Sequence, residues 1–206
     1  MQPGEPIRRR VCLFGGTFDP IHDAHLRIAQ EALADLSLDR VLFVPAAHPP
    51  HKDPDGVTPY EDRFQMVEIA CQPCPQFEAS RLEARDERSY TVDTLRRFRR
   101  QLAPADRLFF LIGSDAFDEL ESWKDWREVV KLTEFIVVSR PGGRYHVPPN
   151  ARVHHLDGLA LPVSSSTIRA RLAAGKPTPE LPPEVRKYIE ARGLYGFGSK
   201  RLTFSP

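Results

Sequence analysis

The stretch VCLFGGTFDPIHDAH, residues 11–25, sets an uninterrupted apolar run against two glycines, an Asp-Pro pair and two histidines three positions apart. Four apolar residues without a polar residue between them are too few for a helix and fit a strand covered on both faces. From residue 25 the apolar spacing turns helical, so Gly15 and Gly16 stand between a strand and a helix opening. In that position backbone N–H groups can approach a phosphate, because a side chain at either glycine would stand in the way. His22 and His25 lie about one helical turn apart, which lets both rings face the side of the free N–H groups. Neither G-x-x-x-x-G-K-[ST] nor G-x-G-x-x-G is present, so this is neither a P-loop nor the dinucleotide fingerprint. Chemistry alone leaves a second account open, a tight turn with two surface histidines.

Apolar runs of the same kind recur at 41–44, 108–112 and 135–138, and with the segment 153–156 they predict five strands. Helix-period segments fall at 25–36, 60–71, 91–102, 122–132, 165–174 and 183–192. Strands and helices in alternation give the α/β class, a parallel sheet with right-handed crossovers. Ser165 is placed to cap the helix it begins and Gly175 to end it. Pro45, Pro49, Pro50, Pro54 and Pro59 mark 45–59 as a loop at a strand's carboxyl end, where open α/β sheets bind ligands.

A chain of 206 residues, 41% hydrophobic and 28% charged, can bury one core as a single domain. Its net charge of +1 excludes a whole-molecule field of the kind that draws nucleic acid or an anionic membrane. No apolar run approaches the roughly 20 residues that span a bilayer, and the basic start MQPGEPIRRR is followed by no signal-peptide core. With only three cysteines, the expectation is a cytoplasmic protein with reduced thiols and no nucleic-acid or membrane partner. Oligomeric state, a homo-oligomer included, is left open.

On these residues, GGTFDPIHDAH resembles the G-G-x-F-D-P-x-H-x-G-H signature of the nucleotidyltransferase superfamily. Ala24 stands where that pattern has glycine, and a glycine-only backbone angle there would be strained. PAAHPPHK, residues 45–52, is similar to the P-x-x-x-P-P-H-K loop of bacterial nicotinate mononucleotide adenylyltransferases. SYTVDTL, residues 89–95, resembles their S-Y-T-x-D-T-L helix start, and VSSSTIR, residues 163–169, their I-S-S-T-x-I-R motif. IGSDAFDELESWKDW, residues 112–126, fits their G-x-D followed by a tryptophan eight residues after the aspartate. The motifs keep that family's order from about 11 to 195. One nucleotidyltransferase domain is therefore expected over 1–195, with 196–206 a loosely ordered tail.

The resemblance implies a Rossmann-like doubly wound parallel sheet, a single domain with a small carboxyl-terminal helical part. It implies transfer of the adenylyl group of ATP to nicotinate mononucleotide, giving deamido-NAD and pyrophosphate in NAD biosynthesis. Two alternatives stay open: a sister transferase acting on nicotinamide mononucleotide or phosphopantetheine, and a non-enzymatic nucleotide sensor. By the same resemblance His22, His25, Lys52 and Arg169 are the catalytic set, gripping phosphates. Gly15, Gly16, Thr17, Phe18, Ser165 and Ser166 complete the ATP site, the serines at a helix N-terminus that favours anions. Thr17, Lys52, Thr91, Asp115, Trp123 and Lys124 are assigned to nicotinate mononucleotide. Trp123 would stack on the ring and Asp115 accept from ribose hydroxyls. Thr91, with the backbone N–H groups near Trp123 and Lys124, would favour a carboxylate over an amide. Mg²⁺ is implied as the cofactor, carried by ATP rather than by protein side chains.

Other features receive structural readings. Asp19 is expected to hold its turn through its side chain, and Trp126 to pack. CQPC at 71–74 has no second C-x-x-C, and its place at a helix end favours the thiol over the thiolate. RRFRR at 96–100 is expected to be a solvated helix face, and the His154-His155 pair has no zinc pattern.

Overall fold

The computed structural model describes residues 8–48, 56–84, 90–139, 143–157 and 163–197. Each expected strand forms: β1 Arg10–Gly16, β2 Arg40–Pro45, β4 Arg107–Gly113, β5 Glu134–Ser139 and β6 Val153–Asp157. A further strand, β3 Phe77–Ala79, joins them. Its three residues carry no apolar run, so β3 exists by pairing with β2 and not by its own pattern. All pairings are parallel, in the order β3-β2-β1-β4-β5-β6. The order reverses between β1 and β4, which opens a crevice at their carboxyl ends, Gly15-Gly16 on one side and Gly113 on the other.

The helices are α1 Asp23–Asp35, α2 Tyr60–Cys71, α3 Thr91–Arg99, α4 Ser114–Asp118, α5 Trp126–Leu132, α6 Ser165–Ala173 and α7 Pro183–Arg192. Side-chain alternation divides the sheet between two cores. Cys12, Phe14, Val41, Phe43, Phe109 and Leu111 face α1, α2, α6 and α7. Val11, Leu13, Leu42, Val44, Phe110 and Ile112 face α3, α4 and α5. On the central strands β1, β2 and β4 both faces are buried, which is why their sequences lack polar alternation. Burying each Phe or Leu on these faces contributes about 2 to 3 kcal/mol.

Several boundaries differ from the expectations: α1 begins at Asp23 rather than 25, and α4 is an additional helix. The helix expected over 122–132 starts only at Trp126: Leu120–Ser122 is a short 3-10 turn, and Asp125 is left-handed with φ of 51°. The helix over 91–102 ends at Arg99, its last residues continuing as turns. The cap of α6 is Ser164, whose hydroxyl accepts from the Thr167 N–H at 3.2 Å, so Ser165 is not the cap. At the other end Gly175 turns left-handed at φ of 66°, as its place after the helix requires.

Candidate active site

The site is built where β1 runs into α1. His22 is the N-cap of α1 and His25 lies one turn on. Their rings stack, with centroids 3.8 Å apart and planes 25° from parallel. The His22 N–H donates to Nδ1 of His25 at 3.3 Å, a bond that assigns the neutral His25 proton to Nε2. Burial lowers the pKa of His22 to about 4, and burial together with the neighbouring His22 holds His25 well below the usual imidazole range. At neutral pH the pair therefore offers ring N–H donors rather than positive charge.

Phe18 supports this pair from beneath. It is buried, left-handed at φ of 49°, and meets the His25 ring edge-on at 5.1 Å. Its position also fixes Gly16: a Cβ there would lie 2.8 Å from the Phe18 ring. The immediate reason for glycine at 16 is thus the aromatic ring beside it, and at 15 a Cβ would touch Phe110 at 3.4 Å. Ala24 carries no strain, because it lies in the first turn of α1 and is absent from the positive-φ positions. The expectation of a glycine-only angle there is corrected.

The last motif closes onto the first. Arg169 Nη1 donates to the Asp19 carbonyl at 2.8 Å, and the Ser165 hydroxyl donates to the Pro20 carbonyl at 3.0 Å. The Ser165 side chain thus holds the turn in this state, while Ser166 Oγ lies 2.9 Å from Ser164 Oγ. The backbone N–H groups of Ser165 and Ser166, at the start of α6, need no intrahelical carbonyl and can serve an anion. Asp19 holds its turn as expected: it accepts from Tyr195 Oη at 2.8 Å and from the Thr58 N–H at 3.4 Å.

On the α3 side, Trp123 stands perpendicular to Phe110 with centroids 6.4 Å apart. Lys124 Nζ binds Asp93 at 3.2 Å and lies 4.3 Å over the Tyr90 ring, next to Thr91 at the start of α3. Asp115 is exposed in the first turn of α4, directly after β4. Of the backbone N–H groups near Trp123 and Lys124, that of Trp123 donates to the Leu120 carbonyl at 3.0 Å. Lys52 lies outside the described residues, as do Pro49, Pro50, Pro54, Ser89 and 198–206 of the tail.

Sequence reading missed Arg63, Ser164 and Tyr195. Arg63 had a signal: it shares the helical spacing of the buried Met66, Val67 and Ala70, a charged residue on an apolar stripe. Three of the four arginines of RRFRR have partners, while Arg100 is exposed. Arg96 pairs with Glu128, Asp93 and Asp125, Arg97 donates to the Leu82 carbonyl, and Arg99 donates to those of Asp106 and Pro104. His154 binds Glu134 at 2.9 Å. Burial pushes the Cys71 thiol up to about 12.

Comparison with known proteins agrees with the geometry. A model of the cytidylyltransferase-like family matches residues 13–171. A "probable nicotinate-nucleotide adenylyltransferase" of Solibacter usitatus is 51% identical over 188 residues, 90% of this chain and 99% of that protein. One of the same description from Shouchella clausii is 44% identical over 190 residues, 91% and 97% of the two chains. A Plasmodium falciparum nicotinic acid mononucleotide adenylyltransferase, solved in complex with NaAD, superposes with a TM-score of 0.76. It is 22% identical and covers 94% of this chain and 100% of its own, a likeness that speaks for the fold. Sheet order, motif closure and identity across nine-tenths of the chain lead to one assignment: the chain belongs to the nicotinate-nucleotide adenylyltransferase family of cytidylyltransferase-like proteins.

Proposed function

We propose that this chain joins the adenylyl group of ATP to nicotinate mononucleotide, giving deamido-NAD and pyrophosphate for NAD biosynthesis. A phosphate oxygen of the mononucleotide attacks the α-phosphorus of ATP. The bond from that phosphorus to the bridging oxygen breaks, and pyrophosphate leaves with the electron pair. The nucleophile is already an anion, so no side chain has to be activated; position and charge stabilisation supply the rate.

His22 and His25 donate ring N–H bonds to the ATP phosphates, and Arg169 supplies the fixed positive charge. Gly15, Gly16, Thr17 and Phe18 bring the backbone of the turn close to them. Ser165 and Ser166 present backbone N–H groups at the positive end of α6. Lys52 adds a second cation from the proline-rich loop. Mg²⁺ carried by ATP would supply charge neutralisation for the leaving pyrophosphate, beside the charge of Arg169 and Lys52. No group of three or more metal-ligating side chains occurs among the described residues.

Trp123 stacks on the pyridine ring, Asp115 accepts from ribose hydroxyls, and Thr17 borders both substrates. With the Trp123 N–H engaged, preference for the acid rests on Thr91 and Lys124. Substrates are small molecules, and no described helix is long and apolar enough to cross a membrane. Three free cysteines accord with work in the cytoplasm.

The observation that carries this reading is the contact between motifs 150 residues apart, Arg169 on the Asp19 carbonyl, beside the stacked histidines. The test is pyrophosphate release with ATP and Mg²⁺. Nicotinate mononucleotide should outpace nicotinamide mononucleotide and phosphopantetheine by more than about tenfold. Equal rates with acid and amide would refute the selectivity, and release with none of the three would refute the activity.

A further inference from the structure

Arg63 is the largest of the fully buried side chains and only 1% exposed, yet it carries a guanidinium. Its three nitrogens are spent on backbone carbonyls of three separate segments. Nη1 donates to Thr17 at 2.8 Å, Nε to Thr58 at 2.8 Å and Nη2 to Ala47 at 3.4 Å. Thr17 is in the turn that follows Gly16, Ala47 follows β2, and Thr58 lies just before α2. Burial lowers the pKa of Arg63, the Asp19 carboxylate offsets part of that, and Asp19 in turn accepts from the Thr58 N–H.

A buried guanidinium is expensive to desolvate, and an apolar residue on the same stripe of α2 would cost less. What an apolar residue cannot do is fix three carbonyls at once in a planar fork. The carbonyls it fixes belong to the segments that border the phosphate-binding turn. Phe18 and Asp19, the next two residues after Thr17, carry His25 and Arg169 respectively.

We infer that Arg63 is a positioning residue: it locks the 17–19 turn to the segments at 47 and 58, and so sets the geometry of His25 and Arg169 toward ATP. It touches no substrate itself. The inference rests on the reading of this crevice as the ATP site, and it reaches a residue that no motif marks.

The test uses the full chain with Arg63→Lys, which keeps the charge but not the fork, and Arg63→Gly, which leaves a space for added guanidinium. ATP affinity by calorimetry and turnover by pyrophosphate release are measured well below each variant's melting temperature. Arg63→Lys is expected to stay folded while ATP affinity falls about tenfold and kcat falls on the order of a hundredfold. Millimolar guanidinium should restore part of the activity to Arg63→Gly and none to Arg63→Lys. Variants that melt lower but keep the wild-type ATP affinity and kcat would overturn the inference, since a purely structural residue would behave so. Should Arg63→Gly fail to fold, Arg63→Lys alone decides. If the unaltered protein released no pyrophosphate, the proposed activity would fall, while ATP affinity would still judge Arg63.

Discussion

Gly16 shows how much one missing carbon decides. A Cβ at 16 would press on Phe18 at 2.8 Å, and Phe18 in turn is the edge on which His25 rests. Gly16→Ala must therefore displace a buried ring that already holds a positive φ, with Phe14 and Phe43 packed against it at 5.5 and 5.8 Å. The expected cost is about 1 to 3 kcal/mol, the range for forcing volume into a packed core. Denaturant titration of the variant measures it, and an unchanged midpoint would show that Phe18 can move freely. Turnover should fall as well, because the displaced ring takes His25 with it. In the sequence, the glycine pair announced a close approach, but of what to what was a matter for the folded chain.

At the scale of the element, α6 has two serines with separate tasks. Ser164 satisfies the Thr167 N–H, whereas Ser165 reaches 145 residues back to the Pro20 carbonyl. Ser164→Ala should lower stability by about 1 kcal/mol, the usual cost of losing a cap. Ser165→Ala should leave the helix start intact and loosen its tether to the histidine turn. Urea midpoints for the two variants separate these cases: a larger loss for Ser165→Ala than for Ser164→Ala would reverse the assignment. The motif marked this helix start, yet adjacent serines are interchangeable to any rule based on residue type. Which of them turns inward depends on the phase of the helix against the sheet. The same holds for α5, where the pattern ran straight through Trp123 but the chain bends at Asp125.

For the molecule as a whole, two imidazoles held neutral in a buried site make stability depend on pH. His22 has a folded pKa of about 4 against an ordinary 6.5, and His25 is displaced in the same direction. Below the ordinary value the unfolded chain takes up protons that the folded one refuses. The stabilisation is therefore complete above about pH 6.5 and is lost as pH falls toward about 4. His22 alone should cost about 2 kcal/mol between about pH 7.5 and pH 5. Glu134 is held down to about 2 chiefly by Arg107 and His154 against its burial, so its carboxylate stays paired across this window. Denaturation midpoints at the two pH values give the measurement; a midpoint unchanged or higher at pH 5 would contradict neutral histidines.

By itself the sequence determined the α/β alternation, the four unbroken apolar strands and the motifs that name the family. It could do so because strands covered on both faces leave unbroken apolar runs, and a phosphate-binding turn demands glycines and donors at fixed spacing. Only the tertiary structure decided the three-residue strand β3, which lives on pairing with β2. It alone showed the carbonyls that Arg63 and Arg169 engage, and the carbonyl that occupies the Trp123 N–H. Backbone carbonyls are the same at every position, so a side chain that binds one leaves no complementary residue type for the sequence to display.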